Sequence, residues 1–461
     1  MTCEQQVNAT LAGIPALAAA RVRICRRQRL DDRRETTMMR TLLCLLLFAP
    51  WFAAWPAAAA AGGQPSSRPV FAVDPGVHAS NAYRLIATPD ERQLVSVGLD
   101  KTVRIWDVDS GRQLRRLVLP VGGRRDGQLF ALALSPDGSL AAVGGNLYSL
   151  GPGRSVAIVS LHDGRIVRAF SGFQSPVTAL AWSADGHLLA VGFDDDTGGS
   201  DHGLRILDSE SGRRVYEDST LTGNLTTLAF RTDRTLFATA HNHPAPSRVV
   251  LYKPAGDTFS RVAERTLTDR GAFRAYWSAD QRAILVHGHS LYDGESLTPL
   301  PFRLNRKALP AGVRALLIRE SPDGRYLLGA ANSRDSEGGV IRRWSGAGYQ
   351  RASYDDLSIP DRRVADLVVL RSGMLGYVAE DGTVAAVGAD LQLAWRKARA
   401  TADLDGHPEA LRVSADGRRV VLPVAHEQGT RWLAFALDEP GFSSVARSEE
   451  HTSELQSPCN L

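Results

Sequence analysis

The sequence predicts an all-β fold, a β-propeller built from four-stranded antiparallel blades. Two observations predict it. First, a polar turn of the Pro/Ala-Asp-Gly kind follows an apolar stretch at Asp90, Asp137, Asp185, Asp233, Asp280 and Asp323, near Gly373, and at Asp416. Its spacings are 47, 48, 48, 47, 43, about 50 and about 43 residues. Second, every copy has the same order of short alternating or β-branched stretches, a strand pattern rather than a helical one. A unit of this size cannot bury its own apolar faces. Four short strands per repeat, stacked on neighbours around an axis, are the blades of a propeller.

Each element follows in order. The first strand is apolar, as in LFALALS (129–135) or VTALAWS (177–183), and runs into the Asp-Gly turn. The second strand is SLAAVGG (139–145) or HLLAVGF (187–193). A loop leads to the third, TVRIWDV (102–108) or GLRILDS (203–209). A shorter, more polar fourth strand closes the copy, RQLRRLV (112–118) or RIVRAFS (165–171). Seven copies are complete, and the eighth (EALRVSADGRRVVLPV…TRWLAFAL) shows three strands. Two closures follow. The stretch RPVFAVD, Arg68 to Asp74, supplies a fourth strand to an eight-bladed ring, or seven blades close and the eighth copy begins a second propeller.

The flanks differ from the repeats. Residues 1–37 are Arg-rich without a period and read as a mis-called upstream segment, with translation starting at Met38 or Met39. Residues 38–61 have the layout of a secretory signal: a charged start at Arg40, an apolar run over 41–55, then small residues at 57–61. That run holds Pro50 and is shorter than the roughly 20 residues a spanning helix needs. Residues 62–77 form a linker with the candidate closing strand, and the propeller occupies 78–440. The tail 447–461, RSEEHTSELQSPCNL, breaks the rhythm. Arg447–Ser457 matches the translation of a common sequencing adapter residue for residue, so the tail is expected to have no biological role and the chain to be an N-terminal fragment of a longer exported protein.

Composition narrows the function. The cysteines are Cys3, Cys25, Cys44 and Cys459, all outside the body at 62–446. The body therefore has no disulfide, no thiolate nucleophile and no Cys-ligated zinc. The absence of cysteine suits a periplasmic or secreted protein. The formal charge of +4 falls to about +2 without the N-terminal segments and tail, and the charges are interspersed. This argues against a nucleic-acid surface.

The first repeat, from His78 through TPDE to SVGLDKTVRIWDVDSG, resembles the WD40 family. His78 lies eleven residues before Pro89, and Ser96, Asp100 and Trp106 fall at the other positions of that family's internal hydrogen-bond network. Asp107 completes the Trp-Asp pair. The resemblance implies that these five residues brace the blade. Later copies drift to LHD, ILD, LYK and RWS. The phrases KTVRIWDVDSGRQLRRL, GQLFALALSPDGSLAAVGG and EALRVSADGRRV are also similar to exported bacterial WD40 proteins, some of which carry a C-terminal caspase-like peptidase domain. No residue of that peptidase has a counterpart here, so the chain is not expected to cleave peptides.

Candidate binding residues lie in the long loops between second and third strands, which open on one propeller face. They include Asn146 in blade 2, Asp194, Asp195, Asp196, Asp201 and His202 in blade 3, and Asn332 in blade 6. Asp194, Asp196 and Asp201 offer hard oxygen ligands for calcium but lack the spacing of a known calcium loop; the competing reading is a solvated acidic loop. His241/His243 and His287/His289 are His-x-His pairs 46 residues apart, nearly one repeat, so adjacent blades would bring four imidazoles together for a metal. Surface or interblade histidines are the competing reading. No nucleophile elbow, Ser-x-x-Lys, P-loop or zincin motif occurs. The main expectation is a non-catalytic scaffold for a protein or peptide partner. It carries no cofactor and has no membrane contact beyond its signal. The rival is an enzymatic or metal-binding propeller that uses the His pairs.

Overall fold

The computed structural model describes residues 76–398, except 121, 123–124, 196–199, 242–245, 268–273, 287–289, 306–312, 334–337, 347 and 362, together with strands within 412–436. Seven four-stranded sheets follow one another along the chain. Their innermost strands are Ala82–Ala87, Leu129–Leu134, Val177–Trp182, Asn224–Phe230, Ala275–Trp277, Val313–Glu320 and Val364–Val369. Within each blade the strands pair antiparallel in chain order from the centre outward. Blade 6 adds one variation: Gln350–Arg351 pairs in parallel with Arg303–Leu304 before the fourth strand begins.

Burial explains the strand composition. In blade 1 the second and third strands, Gln93–Gly98 and Thr102–Asp107, are buried almost throughout. The fourth, Gln113–Val118, is largely open to solvent. Inner strands have a neighbouring blade on each face and so read as continuous apolar runs. The outer strand is a sheet edge, and its charges, Arg115 and Arg116, discourage pairing with another chain.

The apolar core is distributed between blades. One cluster joins blades 1 and 2 around Val95, Ile105, Leu132 and Val143, and another joins blades 2 and 3 around Ile158, Phe173 and Phe193. Blades 3 and 4 meet at Ile206 and Leu225, blades 4 and 5 at Phe237 and Ile284, blades 5 and 6 at Leu285 and Trp344, and blades 6 and 7 at Ile341 and Tyr377. The last cluster joins blade 7 back to blade 1: Val378, Val384 and Trp395 pack on Leu85, Leu94 and Trp106. The ring therefore closes at seven blades. Blade 7 meets blade 1 directly, which leaves no gap for an eighth and sets the eight-bladed alternative aside. The eighth copy forms its own three-stranded sheet from Arg412–Val413, Arg419–His426 and Gly429–Ala436. The stretch 68–74, the signal segment and the tail lie outside the described residues.

The turn that marks the repeat is held by local hydrogen bonds. In blade 2, Ser135 Oγ donates to Asp137 Oδ1 (2.5 Å) and accepts the Leu140 N–H (2.9 Å). Asp137 Oδ1 also accepts the Ser139 N–H (3.1 Å). The same Ser/Thr-to-Asp bond recurs at Thr88/Asp90, Ser183/Asp185, Ser278/Asp280 and Ser321/Asp323. These are Asx- and ST-type turns, in which side chains satisfy backbone groups that no ladder reaches. Gly138 sits at φ +72°, and a Cβ there would stand 2.7 Å from Pro89 Cδ of the neighbouring blade's turn. The glycine thus serves both the turn and the blade contact.

Candidate functional site

Three regions carry polar side chains with defined geometry. The first lies inside blade 1. Trp106 Nε1 donates to Ser96 Oγ (2.9 Å), which also bonds His78 Nε2 (2.7 Å). His78 Nδ1 meets Asp100 Oδ1 at 2.9 Å. Asp100 Oδ2 accepts the Ala79 N–H (3.1 Å), and Thr102 Oγ1 and Arg104 Nη2 also point at this carboxylate. Burial pushes the Asp100 carboxyl up. The His78 hydrogen bond and charge, with Arg104 and Thr102, outweigh that and hold it at about 2. Asp107 lies outside this network, where it accepts Ser110 N–H (2.9 Å) and Oγ–H (2.5 Å) in the turn to the fourth strand. These residues are occupied by one another, so the network joins strands and offers no open site.

The second region is the face formed by second-to-third-strand loops and fourth-to-first-strand connections. In blade 2, Asp126 accepts the N–H groups of Gly122 (2.7 Å) and Tyr148 (2.7 Å) and the hydroxyl of Ser149. Asn146 is buried; its carbonyl accepts the Gly127 N–H (2.7 Å) and its Oδ1 accepts Arg154 Nε (3.2 Å). Arg154 in turn lies 4.8 Å over the Tyr148 ring. The result is an aromatic side chain, 38% exposed, on a tied-down loop. In blade 3, Asp201 is buried and accepts Gln174 N–H (2.6 Å) and Arg205 Nη2 (2.7 Å). Asp195 accepts the Gly223 N–H (3.0 Å) and pairs with His202. The Asp194 N–H donates to Pro176 O (3.0 Å).

Asp201 and Asp195 therefore hold strands and connections together, and Asp196 lies outside the described residues. Asn332 pairs with Ala315 in the inner ladder of blade 6, and its side chain is not among those described. His241 ends the second strand of blade 4 with Nδ1 3.2 Å from Ser247 Oγ. His243, His287 and His289 lie outside the described residues. Among the described residues, no three His, Cys, Asp or Glu side chains are grouped as metal ligands.

The third region is the central channel. Arg84 of blade 1 donates from Nη2 to Thr178 O of blade 3 (3.0 Å) and Thr226 O of blade 4 (2.9 Å). Arg274, entering blade 5, donates to Tyr83 O of blade 1 (3.2 Å) and Ala365 O of blade 7 (3.4 Å). Only side chains that cross the centre can reach such distant blades.

A family model described as WD domain, G-beta repeat matches residues 76–107 and 164–206. The first match spans the whole Trp106–Ser96–His78–Asp100 network, and the ring around it has seven blades. The chain is a seven-bladed β-propeller with WD40 repeats matched at those two stretches. No curated protein matches it.

Within this propeller, sequence reasoning missed the channel. Arg84 and Arg274 stand four residues before Thr88 and Ser278, the first residues of their turns. Asp366 stands four before Leu370, the matching residue of blade 7. A charged residue at one repeat position of an otherwise apolar strand was the available signal. A second missed pattern is the third-strand arginine. Arg104 bonds Gln113 (2.5 Å), Arg205 bonds Glu217 (2.8 Å), and Arg342 grips both oxygens of Asp356 (2.6 and 2.7 Å). Arg104 and Arg342 are buried and Arg205 is half-buried, and these bonds satisfy each cation within its own blade.

Proposed function

We propose that this WD40 propeller is a non-catalytic recognition platform for a protein or peptide partner. Its binding face is the one that carries Asn146, Tyr148, Asp195 and His202. One observation carries the reading: the blade 2 loop is fixed through Asp126, Asn146 and Arg154, while Tyr148 is left open to solvent. A rigid aromatic side chain presented on a fixed loop loses little conformational entropy on binding, and such residues anchor protein interfaces. The signal-like segment at 38–61 adds export to the periplasm or beyond as part of the same proposal.

The test is affinity capture from periplasmic extract with the wild-type propeller, its Tyr148→Ala variant and an inert propeller as baits. A partner retained by the wild type and lost with Tyr148→Ala supports the reading. Equal capture by all three baits overturns it.

A further inference from the structure

Among the described residues, the channel holds more positive than negative charge. Arg84, Arg274 and Arg319 extend into it from blades 1, 5 and 6. Among the described residues they share one carboxylate, Asp366, which is 2% exposed. Arg274 Nε is 3.9 Å and Arg319 Nη2 3.8 Å from Asp366 Oδ1, too far for hydrogen bonds. The carboxylate oxygens are bonded to backbone instead, Oδ2 to Leu85 N–H (3.2 Å) and Oδ1 to Leu367 N–H (3.0 Å).

The donors are only partly used. Both hydrogen bonds of Arg84 leave from Nη2, and the hydrogen bond of Arg319 leaves from Nε to Leu367 O (3.1 Å). Arg319 lies 3.3 Å over the Tyr276 ring, and the Tyr276 hydroxyl is buried without a hydrogen-bond partner. Tyr276 lies in the blade 5 inner strand Ala275–Trp277, two residues after Arg274. Burial and the neighbouring Arg274 together press the Arg84 guanidinium down to about 9, against the opposing pull of Asp366. Partly buried like charges beside an idle hydroxyl are costly unless something neutralises them.

We propose that the central channel binds a small dianionic oxyanion, of the phosphate or dicarboxylate kind, through Arg84, Arg274 and Arg319, with the Tyr276 hydroxyl as a further donor. Two negative charges match the excess of two cations over Asp366. Planar guanidinium groups suit paired oxygens. The site is distinct from the loop face and does not depend on the proposed partner.

The experiment titrates the full chain with inorganic phosphate and, separately, succinate by calorimetry, with ionic strength held constant by sodium chloride. Saturable one-to-one binding of either is expected, with a rise in Tm that chloride does not reproduce. Preference between the two names the source of the group. Tyr276→Phe removes a hydroxyl that has no hydrogen-bond partner among the described residues, so the variant is expected to fold as the wild type does while its affinity falls several-fold; Arg319→Gln lowers affinity at least tenfold. No heat beyond chloride, or unchanged affinity in both variants, overturns the proposal.

Discussion

Trp395 of blade 7 donates its indole N–H to the carbonyl of Val108 in blade 1, at 2.7 Å and across 287 positions of sequence. The same ring packs against Gly111, where an added Cβ would stand 2.4 Å from Trp395 Cδ2 at a backbone φ of +64°. Together they latch the first blade to the last. Trp395→Phe leaves the Val108 carbonyl unpaired in a buried place and is expected to cost about 1–3 kcal/mol. Gly111→Ala adds a clash and a strained φ, with a loss of the same order, about 1–3 kcal/mol. Urea unfolding of both variants checks this; midpoints equal to wild type would contradict the latch.

The blade 1 network makes stability fall in acid. Asp100 is held at about 2 in the folded chain, below the ordinary carboxylate. A depressed folded value means that the contribution is fully present above the unfolded value of about 4 and is lost as pH falls from there toward 2. The contribution is roughly 2 kcal/mol at neutral pH. Asp100→Asn is expected to flatten this part of the stability-against-pH curve. A variant curve as steep as the wild type's would contradict the assignment.

The repeat turn contributes locally. Ser135→Ala removes the bond to Asp137 and the acceptor for Leu140 N–H. Each such deletion is expected to cost about 1 kcal/mol. Ser135→Ala and Ser278→Ala lie in different blades without shared partners, so their effects should add. Chemical denaturation of the single and double variants decides it.

Legibility in the sequence follows the range of the interaction. The Ser-to-Asp turn bonds join residues two apart, so the repeat spacing shows them directly. His78, Ser96, Asp100 and Trp106 span under thirty residues and form a recognisable pattern within one copy. Blade number was not legible, because closure rests on Trp395 meeting Val108 and on Leu85 and Leu94 meeting Val378. No local signal encodes that meeting. The acidic loop reads as a candidate metal site until Asp201 is seen spending its oxygens on Gln174 and Arg205. The channel was invisible because Arg84, Arg274, Arg319 and Asp366 come from four blades.

Tyr148→Ala separates binding from folding. The side chain is exposed and its main contact is Arg154, so the variant's stability should stay within about 0.5 kcal/mol of wild type. Thermal unfolding checks that any lost partner reflects the surface rather than the fold.

The recognition face itself is tested most directly by site-specific photo-crosslinking in cells that express the full chain. One probe replaces Tyr148 on the loop face; the other replaces Asp163, exposed in the third-to-fourth-strand turn on the opposite face. The account predicts a defined protein adduct from position 148 and none from 163. An adduct from 163 alone, or none from either position, would contradict it.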